Sequence, residues 1–465
     1  MDQQTPLFSW LHISDLHFGH GNAGTYADQR LVLDALRQDA ANIAGQRGIP
    51  VPDALLVTGD IAFSGGVRSP TEYRDASEYL RMLRDSLRIS RERAFVVPGN
   101  HDVQRTVDSE RLVRLLIASL REGKDVVDEV LLLEDERRLL MRRQQNYQQF
   151  AKDFAPYCLS DGEVSHRLDA WMCQIPARGL TVRFVGFNTA LLAAADDDRG
   201  KLGIGLGALS QAFLHPAIGP NEVVVALGHH PLRDGWLRNE SEIAGWLRKH
   251  AQVYLSGHIH MHDTEQSRQG GGNSFVWLSA GAGHADGHDP VHGYNLSGLY
   301  VTETGRVVLR VWPRCWDRRG RRFVTDTANT PDGKEYAEHE LSKTIPQLAS
   351  RGIGSSTRQA NPVSAQSSAN ASSSDRMAMP AGKLPTRPSV RQLIYKVLPT
   401  DTDFVAFCID FFPDLARRYS NGMDLTSKIN LLFQVADLGD VLARLKQYDP
   451  ERFRRHQNLL EYLES

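Results

Sequence analysis

Five short motifs, each placed where an apolar run ends, constrain this chain more than anything else in it. They are Asp15-Leu16-His17, Gly59-Asp60, Gly99-Asn100-His101-Asp102, His229-His230 and Gly257-His258-Ile259-His260. The runs before them (residues 8–13, 54–58, 94–97, 222–227 and 253–256) read as strands. Each motif therefore falls at the exit of a strand, where layered α/β folds gather their chemistry. Carboxylate, imidazole and amide donors brought together in this way suit borderline divalent ions such as Mn, Fe, Zn or Ni. An isolated Asp-x-His says nothing, but five such motifs in order specify a site.

Helical patterns lie between the runs, around 27–45, 71–87 and 240–250. Strands alternating with helices argue for a layered α/β core. Residues 181–187 read as a further strand. Residues 274–279, 296–303 and 306–312 read as strands without intervening helix, so the sheet should finish with antiparallel strands. Residues 105–157 are charged and helical in pattern and interrupt the core between the third and fourth motifs. They are expected to form a solvated helical hairpin on the rim, with a cap over the site as the alternative.

At 465 residues the chain is too long for one ordinary domain. From about 345 to 388 it turns to Ser, Ala, Asn and Gln, with little to bury, which predicts a disordered linker. Residues 389–465 are amphipathic again. Ser389 and Gln392 carry a capping-box pattern, and Val390, Leu393, Ile394 and Val397 fall on one helix face. Phe404, Phe407, Cys408 and Phe411 repeat that spacing, as do Ile429, Leu432, Phe433 and Ala436. Asp449-Pro450 suits the start of a last helix. The expectation is a 1–344 α/β domain, a 345–388 linker and a small all-α domain over 389–465 without a catalytic constellation.

Apolar content of 41% and charged content of 24% are those of a soluble globular chain. A formal charge of −2 gives no overall pull toward nucleic acid or anionic membrane. The four cysteines are far apart and form no CxxC pair, so a reducing cytosol fits and a cysteine zinc site does not. No segment reads as an export signal or a membrane span, and a cytoplasmic location is expected. Two weaker signals stand apart. His284, His288 and His292 recur every four residues, but the glycines around them predict a loop facing substrate rather than a third metal site. Residues 310–323 interleave arginines with Trp312, Trp316 and Phe323, which suits either nucleic-acid stacking or a β-hairpin turning at 317–320.

A two-metal site needs one ligand shared by both ions, and a carboxylate bridges more readily than an imidazole or amide. Asp60 is the natural bridge. Asp15 with His17, and His258 with His260, lie two positions apart and can converge.

Over residues 8–315 these motifs resemble the calcineurin-like metallophosphoesterase superfamily, whose pattern is D-x-H, GD, GNH-[DE], H and GH-x-H. The resemblance implies a layered β-sandwich core with flanking helices. It implies that Asp15, His17, Asp60 and His260 bind one divalent ion and that Asp60, Asn100, His229 and His258 bind a second. It favours His229 over His230, since the ligand stands two residues before a Pro, here Pro231. It makes His101 the acid that stabilises phosphoryl oxygens or protonates the leaving group, with Asp102 orienting it. The reaction implied is attack of hydroxide on phosphorus in line with the departing oxygen, with no covalent enzyme intermediate. The substrate would be a cyclic nucleotide, another phosphodiester or nucleic acid. A scaffold that has lost turnover is the competing reading.

Residues 389–465 resemble the small effector-associated, death-like helical domains of bacteria. That resemblance implies pairing with a partner bearing a similar domain, in a defence or conflict system. An ordinary packing module is the alternative.

Overall fold

The computed structural model describes residues 5–348 and 387–456, except residues 22, 47, 159–168, 196, 261–262, 269–273, 284–291, 332, 399, 417–427, 430–431 and 434–435. The chain divides into two compact units, 1–357 and 358–465.

The first unit is built on two sheets. One runs β12-β11-β10-β1-β2-β3, with β13 also on β11, and the other runs β4-β5-β6-β7-β9-β8. Its elements, in chain order, are β1 (Phe8–Ile13), α1 (Ala23–Ile43), β2 (Ala54–Thr58), α2 (Glu72–Ser86), β3 (Ala94–Val97), α3 (Arg111–Glu122), α4 (Val127–Leu132), α5 (Glu134–Arg142) and α6 (Gln145–Phe154). There follow β4 (Ala170–Pro176), β5 (Thr181–Phe187), α7 (Leu206–Leu214), β6 (Glu222–Leu227), α8 (Glu240–His250), β7 (Val253–Ser256), β8 (Asp263–Arg268), β9 (Ser274–Ser279), β10 (Gly293–Val301), β11 (Arg306–Asp317), β12 (Arg322–Thr325) and β13 (Ala337–Thr344).

The period-2 alternation of the second sheet explains its layering. Val182 and Phe184 of β5, Val223, Val225 and Leu227 of β6, and Val253 and Leu255 of β7 share one apolar cluster with the first sheet. Their neighbours Val185, Phe187, Val224, Ala226 and Tyr254 point into a second cluster with α7 and α8. Both faces are thus apolar, as a strand buried on both sides requires. β1, β2 and β3 pair in parallel, as do β5, β6, β7 and β9. The ends of β1, β2, β3, β6 and β7 carry the five motifs. β10 to β13 pair antiparallel, as the helix-free sequence predicts.

Residues 105–157 form four helices, α3 to α6, rather than a hairpin. They are fastened to the core. Val113, Ile117, Leu120 and Leu140 enter the second apolar cluster. Phe150 of α6 stacks on Tyr73 of α2 at 5.4 Å. The fully buried Arg143 holds Asp108 through two nitrogens at 2.6 and 3.0 Å and donates to the carbonyls of Leu191 and Ala193. A buried cation with all three nitrogens engaged fixes the segment to the loop after β5.

The basic and aromatic stretch at 310–323 is the hairpin of β11 and β12. Trp312 and Phe323 are core residues. Arg314 binds Asp39 of α1 at 2.9 and 2.8 Å, and Arg310 binds Glu338 at 2.6 Å. These partners account for Arg310 and Arg314.

Of the 345–388 segment expected as linker, residues 349–386 lie outside the described residues. At its ends, Ile345 and Leu348 are buried in the first unit's core, and helix α9 (Arg387–Val397) already begins at 387. Ser389 is therefore inside α9 and not its cap. The second unit continues with α10 (Asp401–Phe411), α11 (Pro413–Ala416), α12 (Leu438–Tyr448) and α13 (Pro450–His456). Thr400 and Asp403 make the capping box that opens α10. Asp449 accepts from the backbone of Arg452 at 2.9 Å and caps α13. Val390, Leu393, Ile394, Phe404, Phe407, Ile429, Leu432, Val441 and Leu445 make this unit's own apolar core. Among the described residues, no helix is long and apolar enough to cross a membrane.

Candidate metal centre

The strand exits are sharply bent. Asp15, His17, Asp60, His258 and His260 have φ of 54°, 50°, 51°, 69° and 53°. Non-glycine residues seldom occupy the left-handed region, and such positions cluster at functional sites. Five of the seven described non-glycine residues with positive φ belong to the motifs. The glycines of the motifs allow close approach. A Cβ on Gly99 would lie 2.1 Å from Asp60 Oδ1, and one on Gly257 would lie 1.8 Å from Ser14 Oγ.

These bends bring the donors together around Asp60. Its Oδ2 lies 3.2 Å from His17 Nε2 and 3.2 Å from His229 Nε2. Its Oδ1 accepts from the backbone N–H of His101 at 2.8 Å. On one side, Asp15, His17 and His260 form a donor group, with Asp15 Oδ1 3.3 Å from His260 Nε2. That contact is outside hydrogen-bond geometry, so Asp15 Oδ1 is a buried anionic oxygen with no hydrogen-bond partner among the described residues. On the other side, His229 Nε2 lies 3.1 Å from Asn100 Oδ1 and 3.2 Å from His258 Nδ1. All seven expected ligands, Asp15, His17, Asp60, Asn100, His229, His258 and His260, thus meet in two groups joined at Asp60. Mixed carboxylate and imidazole donors around an unsatisfied buried carboxylate oxygen fit borderline divalent cations.

The charges are set by the cluster itself. Burial would raise the carboxyl of Asp60, but His229 and His101 hold it well below the usual carboxylate range. Burial likewise opposes ionisation of Asp15, and His260 beside it, with His229, pulls it down. Burial would lower His229, yet Asp60, then Asp15 and the Thr58 carbonyl, lift it to about 9. His258, desolvated and facing His229, falls to about 3. Without an ion, His229 therefore holds a proton that a metal must displace. His229 Nδ1 donates to the Thr58 carbonyl at 2.7 Å, which leaves Nε2 as the ligand nitrogen once that proton is gone.

His101 is half-buried at the edge of the cluster, 4.9 Å from the His17 ring. Its Nδ1 donates to the Phe63 carbonyl at 2.8 Å, which aims Nε2 away from that loop. Asp102 does not orient His101 as expected. Its Oδ1 accepts from Ala62 N at 3.0 Å and Tyr73 Oη at 3.0 Å, and its Oδ2 from Ile61 N at 3.2 Å and Gly99 N at 2.9 Å. The carboxylate clamps the loop after β2 to the loop after β3. The Phe63 carbonyl does the orienting.

Two further residues shape the site without a sequence signal. Buried Glu72 accepts from Ser64 N, Gly66 N and Ser64 Oγ at 3.0, 2.9 and 2.6 Å and holds the loop that carries Phe63. Thr189, after β5, bonds the His229-His230 turn. Of the three spaced histidines, His284 and His288 lie outside the described residues. His292 is buried beside β10, where its backbone bridges to Ala282.

Comparison with known proteins agrees with this geometry. A family model described as calcineurin-like phosphoesterase matches residues 8–262. The chain is also 27% identical over 287 residues to a Bacillus subtilis (strain 168) protein named uncharacterized metallophosphoesterase-like protein YydB. That match covers 59% of this chain and 53% of the other, so the chain spans about half the length of the curated relative it matches. The family match extends over more than half of the chain and contains every one of the five motifs, and the chain belongs to the calcineurin-like phosphoesterase family.

Proposed function

We propose that this protein is a dinuclear-metal phosphodiesterase acting on a nucleotide or related phosphoester. The convergence of both donor groups on the Asp60 carboxylate carries the reading. Asp15, His17, Asp60 and His260 would hold one ion, and Asp60, Asn100, His229 and His258 the other, drawn from Mn, Fe, Zn or Ni. When bound, two divalent ions supply Lewis acidity toward phosphoryl oxygens and make water acidic enough to react near neutral pH. The chain's own residues do the rest. The Thr58 carbonyl fixes the tautomer of His229, and Asp102 locks the two loops that carry Asp60 and Asn100 at one spacing. His101, with Nδ1–H committed to the Phe63 carbonyl, offers Nε2 to the phosphoryl or leaving oxygen. To act as an acid it must be protonated on both nitrogens.

Two aromatic ledges beside the cluster support a nucleotide. Half-buried Phe63 stacks on His101 at 4.9 Å, with the Arg68 guanidinium 5.1 Å from its ring. Half-buried Trp236 meets His258 edge-on at 4.2 Å, with Arg199 at 5.1 Å. Aromatic faces with adjacent cations suit nucleobases.

The second unit has its own apolar core, and the proposed ligands all precede residue 261. We assign it to protein interaction, by pairing with a similar helical domain, in an effector of a bacterial defence system. The test is a panel of bis-p-nitrophenyl phosphate, cyclic and linear nucleotides and single-stranded DNA, run on the full chain and on a chain ending at residue 385. The shortened chain should keep its rate on small substrates and lose self-association or partner binding. Loss of small-substrate hydrolysis on shortening would mean that the helices help to build the site.

A further inference from the structure

His230 stands beside the centre, and the sequence gives it no role of its own. It is fully buried, its ring centroid is 4.5 Å from that of His258, and it forms a donor group with His229 and His258. Bond counting at Thr189 fixes its tautomer. Thr189 Oγ1 accepts from the backbone N–H of His229 at 3.2 Å and of His230 at 3.1 Å. A hydroxyl has two lone pairs and one proton. Both lone pairs are occupied, so the Oγ1–H donates to His230 Nδ1, 2.9 Å away. Nδ1 is then the acceptor of a neutral imidazole, and the ring proton is on Nε2. A protonated Nε2 has no lone pair for a metal. It is also a buried donor with no hydrogen-bond partner among the described residues, a state that native structures rarely tolerate unless a ligand completes it. The turn is otherwise rigid. Tyr254 Oη donates to the His230 carbonyl at 2.8 Å, and Gly257 N to that of His229 at 3.0 Å.

We propose that His230 Nε2–H is a hydrogen-bond donor to an oxygen of the phosphoryl group bound at this centre, and that Thr189 is the positioning residue that sets its tautomer. The assignment rests on the phosphoesterase reading above, because it needs an acceptor-rich anion beside His258. It divides the two adjacent histidines by chemistry. His229, once its Nε2 proton is displaced, presents a lone pair there because its Nδ1–H donates to the Thr58 carbonyl. His230 presents a proton because Thr189 supplies one to its Nδ1.

The test uses the full chain loaded with Mn and inorganic phosphate as the probe. Metal per chain and the Kd for phosphate are measured for the native protein, His230→Ala, His230→Gln, Thr189→Val and Thr189→Ser. His230→Ala should keep the native metal content and bind phosphate about 10–100-fold more weakly, the range of a hydrogen bond to a charged group. Gln places an N–H near the position of Nε2 and should recover most of the affinity. Thr189→Val should weaken phosphate binding, and Thr189→Ser should not. In the native protein, nitrogen NMR of the His230 ring should show the proton on Nε2. Loss of metal in His230→Ala would make His230 a ligand and overturn the proposal. Unchanged phosphate affinity in His230→Ala would reduce it to packing. If the His230 variants do not fold, the native tautomer decides, and a proton on Nδ1 overturns it. These readouts need no turnover, so an inactive protein would refute the phosphodiesterase reading separately.

Discussion

Asp60→Asn should be the most damaging single change to the site, lowering phosphodiester turnover by more than about 100-fold, the upper range for merely supporting partners of a metal ligand. The side chain is fully enclosed, with one oxygen 3.2 Å from histidines of both donor groups and the other on the His101 backbone. An amide keeps the shape and removes the charge that two bound ions would share. Metal content should fall below that of His17→Ala or His258→Ala, each of which removes a donor from one group only. Metal analysis of the three variants checks this. If Asp60→Asn loses no more metal than the single-group variants, Asp60 does not bridge.

His101→Ala should leave metal content unchanged and lower kcat by about 10²–10⁴-fold, the usual contribution of a positioned acid or base. The expectation rests on the Phe63 carbonyl, which takes up its Nδ1–H; His101 also stands within donor distance of His17 and Asp60, so a loss of metal in His101→Ala would make it a ligand instead. The loss should depend on the leaving group. A p-nitrophenolate needs little protonation, whereas a ribose alcohol needs a proton as it departs. A larger loss on a nucleotide diester than on bis-p-nitrophenyl phosphate identifies a leaving-group acid. Equal losses would assign His101 to charge stabilisation at phosphorus instead.

The strands that carry ligands were readable because each is a largely apolar run followed by glycine, serine or threonine and then a donor. Phe8–Ile13, Ala54–Thr58, Ala94–Val97, Glu222–Leu227 and Val253–Ser256 need burial on both faces, and their composition says so. β8, with sequence DTEQSR, and β13, with AEHELSKT, lack that mark. β8 closes one end of its sheet and β13 lies beside β11, and each is held by pairing with one neighbour more than by apolar burial. β4 was missed because Gln174 and Pro176 break an already half-exposed run.

The side chains that meet around Asp60 were legible in the same way, since the first of each motif follows its strand end by two or three residues. The residues that hold the donors were not. Asp102, Glu72 and Thr189 act through backbone N–H groups up to about forty positions away, and nothing in a linear sequence marks an ordinary polar residue as the partner of such a loop. The expectation for Asp102 failed for this reason. The loop after β2 reaches its carboxylate before the His101 ring does. The capping box at Thr400 and Asp403 was passed over, while Ser389 offered a similar pattern two residues inside a helix. Local pattern alone does not rank two such signals.

The most direct measurement is hydrolysis of bis-p-nitrophenyl phosphate by the full chain, before chelation, after it, and after addition of Mn, with metal counted in each state. A dinuclear centre built on Asp60 predicts turnover with two ions per chain, none after their removal, and its return as both ions rebind. Turnover that survives complete metal removal, or a fully loaded chain that cleaves no phosphoester in a broad panel, would contradict it.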